Sequence, residues 1–265
     1  MEKITTASLL TKKQTHRKIT VLTCYDYPTA KIMDQAGIDI LLVGDTLAMV
    51  VLGYETTLPV TIDEMLHHVK AVKRGTKKAL LVADMPYLSY QIKPSEAVRN
   101  AGRFLKEGGA EAVKIEGGRE MVKTIKAMLA ADIPVMGHIG LTPQAVHKMG
   151  GYKVQGREKT QAEKLKEDAL QLQDAGVFAI VLEGLPWQLA KEITDSLSIP
   201  TISCGAGKYC DGQVLVTPDM LGLFPDFTPK FVKKYADLGS IMLKAFKQYK
   251  REVEQGKFPD KKHSY

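Results

Sequence analysis

Three stretches of this chain repeat one unit: a helix-stopping glycine, a short apolar run and a carboxylate at its end. They are Gly37-Ile38-Asp39-Ile40-Leu41-Leu42-Val43-Gly44-Asp45, Gly109-Ala110-Glu111-Ala112-Val113-Lys114-Ile115-Glu116 and Gly176-Val177-Phe178-Ala179-Ile180-Val181-Leu182-Glu183. Leu80-Leu81-Val82-Ala83-Asp84 delivers a further acid in the same way. A glycine closes a helix through its access to left-handed backbone, and a strand-length apolar run follows. A chain that repeats this unit is built from alternating helices and buried strands.

The remaining residues extend the pattern. Strand-length apolar runs fall at Ile19–Thr23, Ile38–Val43, Ala79–Ala83, Ala112–Ile115, Pro134–Gly137, Phe178–Leu182 and Pro200–Ser203. Helical periodicity lies between them, at Thr29–Gln35, Ile62–Arg74, Pro94–Lys106, Arg119–Leu129, Gln161–Asp174 and Trp187–Leu197. Near-continuous apolar strands imply burial on both faces, as in a parallel sheet wrapped by helices. An eighth strand is expected at Val214–Val216, the weakest of the set. Such units, joined by right-handed crossovers, close into an α/β fold of the (β/α)₈ TIM barrel type. A doubly wound open sheet is the alternative, but no G-x-G-x-x-G follows the first strand. No linker divides the 265 residues, so a single barrel domain is expected over residues 1–265, with N-terminal and C-terminal helical extensions.

Composition narrows the class. With 45% hydrophobic and 25% charged residues the chain has the balance of a globular protein, which excludes disorder and fibrous structure. No apolar run reaches the roughly 18 residues of a membrane-spanning helix, and the start, Met-Glu-Lys-Ile-Thr-Thr, has no apolar signal core. Cys24, Cys204 and Cys210 are odd in number and match no zinc spacing; reduced thiols in a cytoplasmic enzyme are the simplest reading. The net charge of +7 keeps anionic ligands in play. It is dispersed, however, over Lys70, Lys73, Arg74, Lys77 and Lys78 on one helix end and Lys244, Lys247, Lys250 and Arg251 on a C-terminal amphipathic helix, the pattern of solvated faces. No nucleic-acid partner and no membrane are expected.

In a barrel of parallel strands the C-terminal strand ends gather at one face, where barrel enzymes keep their active sites. This chain delivers Asp45, Asp84, Glu116, His138 and Glu183 to strand ends 2 to 6. One acid there is ordinarily a helix cap, but four together repel one another unless a cation or strong donors hold them. Hard oxygen ligands without cysteine suit Mg²⁺. Lys114 lies two residues before Glu116, so strand alternation points both into the barrel. A buried ion pair, the binding of an anionic substrate group and a Schiff base are all open readings of that lysine.

Several strings carry a resemblance. Val43-Gly44-Asp45-Thr46-Leu47, Thr57-Leu58-Pro59-Val60-Thr61, Val113-Lys114-Ile115-Glu116-Gly117-Gly118, Gly137-His138-Ile139-Gly140-Leu141-Thr142-Pro143-Gln144 and Gly150-Gly151-Tyr152-Lys153-Val154-Gln155-Gly156-Arg157 resemble, in order, the ketopantoate hydroxymethyltransferase family. Gly205-Ala206-Gly207 and Asp211-Gly212-Gln213 fit as well, and the likeness runs from about Ile19 to Phe258-Pro259. The resemblance implies a barrel of the phosphoenolpyruvate/pyruvate-binding superfamily. It implies transfer of a hydroxymethyl group from 5,10-methylenetetrahydrofolate to 3-methyl-2-oxobutanoate, giving 2-dehydropantoate on the route to pantothenate and coenzyme A. It also implies one Mg²⁺ on the residues matching Asp45, Asp84 and Glu116, and oxoacid binding by Asp45, Thr46, Asp84 and Lys114. The proton acceptor matches Glu183, and the assembly is a homo-oligomer, commonly a decamer. The family usually carries serine where this chain has Thr46, and often glycine where it has Ala48.

The chemistry is consistent with that set. A tertiary carbon beside a ketone must lose a proton, and a metal stabilises the enolate charge. Lys114 neutralises the substrate carboxylate, and His138 at the mouth is a further substrate-binding candidate. A folate pterin needs an apolar wall, for which Tyr25, Tyr54 and Tyr152 are candidates. A Schiff-base aldolase using Lys114 is the enzyme rival. A lyase of the isocitrate-lyase type would carry a Lys-Lys-Cys-Gly-His run, which is absent from the sequence. A polyanion-binding module would explain the charge and nothing else.

Overall fold

A computed structural model describes residues 2–224 and 229–265. The chain divides into two compact units, Met1–Leu215 and Val216–Tyr265. In the first, the elements run α1 (Thr6–Gln14), β1 (Ile19–Thr23), α2 (Tyr27–Ala36), β2 (Ile40–Val43), α3 (Leu47–Val50), α4 (Ile62–Gly75), β3 (Leu80–Asp84), α5 (Pro94–Lys106) and β4 (Ala112–Glu116). They continue with α6 (Val122–Leu129), β5 (Val135–Gly140), α7 (Val146–Met149), α8 (Lys159–Ala175), β6 (Ala179–Glu183), α9 (Trp187–Ser196), β7 (Thr201–Cys204) and β8 (Gly212–Leu215). All strand pairs are parallel, and the sheet closes from β8 back onto β1, where Ile19 pairs Gly212 and Val21 pairs Val214. The expected (β/α)₈ barrel is what the chain forms.

Local chemistry explains the punctuation. Asp26 caps α2 through Thr29 N–H at 2.8 Å, and Gly37 ends the helix at φ 78°. Thr61 and Glu64 form a reciprocal capping box on α4. Gly176, at φ 102°, closes α8. Gly37 and Gly176 of the repeated unit thus stop their helices, whereas α5 ends at Lys106 with Glu107 as its cap, two residues before Gly109.

Several boundaries differ from expectation, three of them most. Strand β5 runs Val135–Gly140 rather than Pro134–Gly137, which places His138 inside the strand. The segment Arg119–Leu129 begins with a 3-10 turn, Arg119–Met121, before α6. The eighth strand is Gly212–Leu215 rather than Val214–Val216. It starts at a glycine because a Cβ there would lie 2.6 Å from both Ile19 O and Ile202 Cδ1, and its second residue, Gln213, is exposed, which hides the strand from a search for apolar runs.

The core has two compartments. Between strands and helices lies an outer layer that includes Leu41, Val43, Leu81, Val113, Ile180 and Leu182. Inside the barrel Ile40, Leu42, Val82, Ala112, Met136 and Val181 pack together, and Leu9 of α1 joins them from the N-terminal end with no exposed surface. Helix α1 is pinned across that end by an ion pair from Lys12 to Asp39 and by Lys13 to Asp211 at 2.9 Å. Alternation with period two carries the inward direction from Val82 to Asp84, from Ala112 to Lys114 and Glu116, and from Met136 to His138. Apolar side chains fill the lower barrel and ionisable ones the upper end.

The second unit holds α10 (Thr217–Met220) and α11 (Leu238–Glu254), joined by Leu238 N–H to Leu221 O at 2.9 Å. Helix α11 is the expected C-terminal amphipathic helix, with Ile241, Leu243, Phe246 and Tyr249 exposed. Among the described residues, no helix is long and apolar enough to cross a membrane.

Candidate active site at the strand ends

Six of the seven singled-out side chains converge on the C-terminal mouth of the barrel, and Thr46 lies beside them. Asp84 and Glu116 are the last residues of β3 and β4, while Lys114 and His138 lie within β4 and β5. The register sets Asp84 beside Lys114 and Glu116 beside His138. Asp45 follows β2 after Gly44, and its N–H donates to Asp84 Oδ2 at 3.0 Å. Asp45, Asp84, Lys114, Glu116 and His138 are all buried, at 2% to 6% exposure, whereas the Glu183 side chain keeps 16%.

Lys114 is the hub. Its Nζ lies 3.0 Å from Asp84 Oδ1 and 3.1 Å from His138 Nδ1. His138 Nδ1 is also 3.6 Å from Glu116 Oε1, and its Nε2 is 3.2 Å from Glu183 Oε2. Distance and direction disagree at two of these contacts. Asp84 Oδ1 and His138 Nε2 are close to a charged neighbour but, among the described residues, have no hydrogen-bond partner in line. We read them as electrostatic contacts that leave a lone pair and an N–H available at the mouth.

The electrostatics follow from burial. Asp45 is pushed up to about 7, first by burial and then by Asp84. Glu116 rises well above its ordinary value by burial and by Asp45. Burial opposes the charge of Lys114, but Asp84, Glu116 and Asp45 outweigh it and hold the ammonium above the usual lysine range. Burial and then Lys114 lower His138 from its ordinary value, against the opposing pull of Glu183 and Asp84. Three buried carboxylates face one ammonium, a set that gains from a further cation.

The chemistry of the donors fits Mg²⁺: Asp45, Asp84 and Glu116 are hard oxygen ligands, and Asp84 Oδ1 lacks an aligned donor. Among the described residues, no group of three His, Cys, Asp or Glu already stands in the arrangement of a metal site. Asp84 faces Lys114 and Glu116 lies near His138, so ligation by these two would require them to turn from those contacts.

Thr46, where the resemblance set a threonine against serine, holds its hydroxyl 2.8 Å from Tyr25 OH. Of the aromatic candidates, Tyr25 is buried against Thr46, and Tyr152 is raised by burial and then by Asp45, Glu183 and Glu116, which puts it within their field. Tyr54 is exposed.

Sequence reasoning missed two residues. Gln144, on the 3-10 turn Pro143–Ala145 after β5, donates from Nε2 to Asp45 Oδ2 at 2.9 Å. Tyr90, in the loop after β3, accepts Glu116 N–H at 3.0 Å and donates to Gln144 Oε1 at 2.7 Å. Neither carries a signal in spacing; a buried glutamine is legible only once its partners are in place.

With this geometry set out, the relatives decide the family. The ketopantoate hydroxymethyltransferase model matches residues 3–261. The chain belongs to that family. It is 59% identical over 264 residues to the 3-methyl-2-oxobutanoate hydroxymethyltransferase of Trichlorobacter lovleyi (strain ATCC BAA-1151 / DSM 17278 / SZ), covering 100% of this chain and 99% of that one. Against the enzyme of that name from Thermoanaerobacter sp. (strain X514) it is 56% identical over 264 residues, covering 100% and 96%. Among solved structures, a phosphonopyruvate hydrolase in complex with oxalate and Mg²⁺ superposes with TM-score 0.64 at 13% identity, covering 99% of this chain and 93% of that one. A 2,3-dimethylmalate lyase of the PEP mutase/isocitrate lyase superfamily gives 0.62 at 16%, covering 98% and 91%. At such identity the likeness is one of fold, and it matches the expected barrel.

Proposed function

We propose that this ketopantoate hydroxymethyltransferase family member transfers a hydroxymethyl group from 5,10-methylenetetrahydrofolate to 3-methyl-2-oxobutanoate, forming 2-dehydropantoate in the first step of pantothenate biosynthesis. Family membership supports the reaction class. The observation that carries the assignment of roles is Lys114, a buried ammonium between Asp84 and His138 at the barrel mouth. A buried charge there matches the carboxylate of a small oxoacid. Because its neighbours keep that amine protonated, it is a poor nucleophile, which weighs against the Schiff-base rival.

Asp45, Asp84 and Glu116 would hold Mg²⁺, which when bound would supply Lewis acidity toward the oxoacid. The remaining roles belong to the chain. Asp45, Thr46, Asp84, Lys114 and His138 line the oxoacid site, with Lys114 on its carboxylate and the Thr46 hydroxyl, steadied by Tyr25, offering a hydrogen bond. Glu183 accepts the proton from the tertiary carbon, a step worth about 10²–10⁴-fold. His138 places its Nε2 3.2 Å from Glu183 Oε2, close to that carboxylate but out of hydrogen-bond alignment.

The test is an assay with 3-methyl-2-oxobutanoate and methylenetetrahydrofolate, with and without a chelator. Product that requires both substrates, vanishes on chelation and returns with Mg²⁺ is the expected result; turnover that survives chelation overturns the metal roles. We further place the enzyme in the cytoplasm as a homo-oligomer, a decamer by resemblance. The buried thiols Cys24 and Cys210 support the first, and the exposed apolar side chains of α11 the second. Light scattering reads the assembly size against the 29.2 kDa chain.

A further inference from the structure

We infer that Gln144 is a positioning residue that anchors one oxygen each of Asp45 and Glu116 and leaves the other oxygen of each to turn to a metal ion, with Tyr90 as its buttress. The inference rests on the proposed role of those carboxylates as metal ligands and adds what aims them.

Every hydrogen-bonding group of the Gln144 side chain is used. Its Nε2 donates to Asp45 Oδ2 and to Met85 O, both at 2.9 Å. Its Oε1 accepts from Tyr90 OH at 2.7 Å and from Gln91 Nε2 at 3.1 Å. The amide has two N–H groups and two lone pairs, so these four bonds exhaust it. A backbone carbonyl and a carboxylate only accept, so the nitrogen must face them, and the orientation of the amide follows from its partners. The backbone N–H of the same residue donates to Glu116 Oε2 at 3.0 Å. One residue thus holds one oxygen of each of two carboxylates and leaves the second oxygen of each outside the clamp.

The choice of an amide has a reason. A lysine or arginine at this position would hold Asp45 more strongly but would compete with a cation for its charge. A neutral donor fixes direction and leaves that charge for the ion. Outer partners of this kind typically carry a 10–100-fold effect on metal affinity. Tyr90 extends the clamp, because the hydroxyl that donates to Gln144 also accepts the N–H of Glu116. Gln144, Tyr90, Asp45, Glu116 and Met85 are buried and Gln91 is half-buried, so at the carboxylate end the network has no water to substitute for a lost partner.

The test uses the full chain, stripped with chelator and titrated with Mn²⁺ by electron paramagnetic resonance, alongside Gln144→Met, Tyr90→Phe and the double variant. Circular dichroism at the titration temperature establishes that each is folded. Gln144→Met, of similar length but without donors, is expected to bind Mn²⁺ about 10–100-fold more weakly. Tyr90→Phe is expected to lose about fivefold. The double variant is expected to be no worse than Gln144→Met alone, since Tyr90 acts through the amide. A structural role alone would lower the unfolding midpoint and leave the isotherm of the folded protein unmoved; that outcome overturns the inference. If Gln144→Met does not fold, the Tyr90→Phe isotherm decides in its place, and an unchanged affinity there overturns the clamp. A parent protein that takes up no Mn²⁺ overturns the metal reading itself, a result separable from parent binding with unaffected variants.

Discussion

Lys114 Nζ lies 3.1 Å from Nδ1 of His138, and that contact sets the state of the histidine. An ammonium only donates, so Nδ1 is an acceptor and the single ring proton sits on Nε2, which faces Glu183 Oε2 at 3.2 Å. The proposed base thereby faces a neutral ring nitrogen rather than a cation, and the next variants probe each end of that chain of contacts.

Glu183→Gln keeps the shape of the side chain and removes its basicity. Exchange of the tertiary hydrogen of 3-methyl-2-oxobutanoate with deuterated solvent, followed by proton NMR with Mg²⁺ and no folate, is expected to fall about 10²–10⁴-fold while oxoacid binding persists. Exchange close to that of the parent would move the role to His138.

Lys114→Ala is expected to raise the KM for the oxoacid and lower kcat, with folate affinity little changed. Lys114→Arg should not restore either, because the planar guanidinium does not fit a pocket built around a point charge between Asp84 Oδ1 and His138 Nδ1. Steady-state kinetics check both, and a borohydride-trapped adduct at Lys114 would establish the Schiff-base rival instead.

The three carboxylates are not equivalent in the metal-free protein. Asp84 accepts Asp45 N–H and faces Lys114, so Asp84→Ala strands a buried charge and is expected to cost about 3–5 kcal/mol. Asp45→Asn removes a repelled carboxylate while keeping its size, and is expected to leave the stability of the stripped protein unchanged or raised. Urea unfolding with chelator present measures both. Equal losses for the two would show that charge at this mouth is shared evenly, contrary to the contacts.

Asp219, in α10 of the second unit, gives a pH signature of its own. Burial raises it from 3.8 to about 6 against the opposing pull of Lys234. The folded chain therefore binds this proton more tightly than the unfolded one. Its contribution is greatest below pH 3.8 and is lost as pH rises through about 6. Asp219→Asn is thus expected to raise the thermal midpoint at about pH 8 and leave it unchanged at about pH 3. A benefit confined to the acid side would reverse the sign and refute the assignment.

Helix α1 closes the barrel end opposite the site through Leu9, which has no exposed surface. Leu9→Ala opens a cavity beneath the inner cluster and is expected to cost about 2–5 kcal/mol by urea unfolding. Mn²⁺ affinity should stay that of the parent, since the cavity lies at the far end from Lys114. A loss of metal affinity without loss of stability would contradict that division of the barrel.

Periodicity made much of this legible in advance. The alternation of Ala112, Lys114 and Glu116 along β4 sends all three to one face whatever surrounds them, and Asp84 and His138 follow from Val82 and Met136 by the same step of two. The helix-stopping role of Gly37 and Gly176 is equally local, because it depends on the backbone angle of one residue. Gln144 and Asp45 are 99 positions apart, and Lys13 and Asp211, which fasten α1, are 198 apart. No local pattern announces such pairs, since they meet only when β8 closes on β1 and brings distant loops to one rim. Chain alternation determined which side chains point inward. Barrel closure decided which of them touch, and hence the fixed tautomer of His138, the glutamine that holds Asp45 and the glycine start of β8.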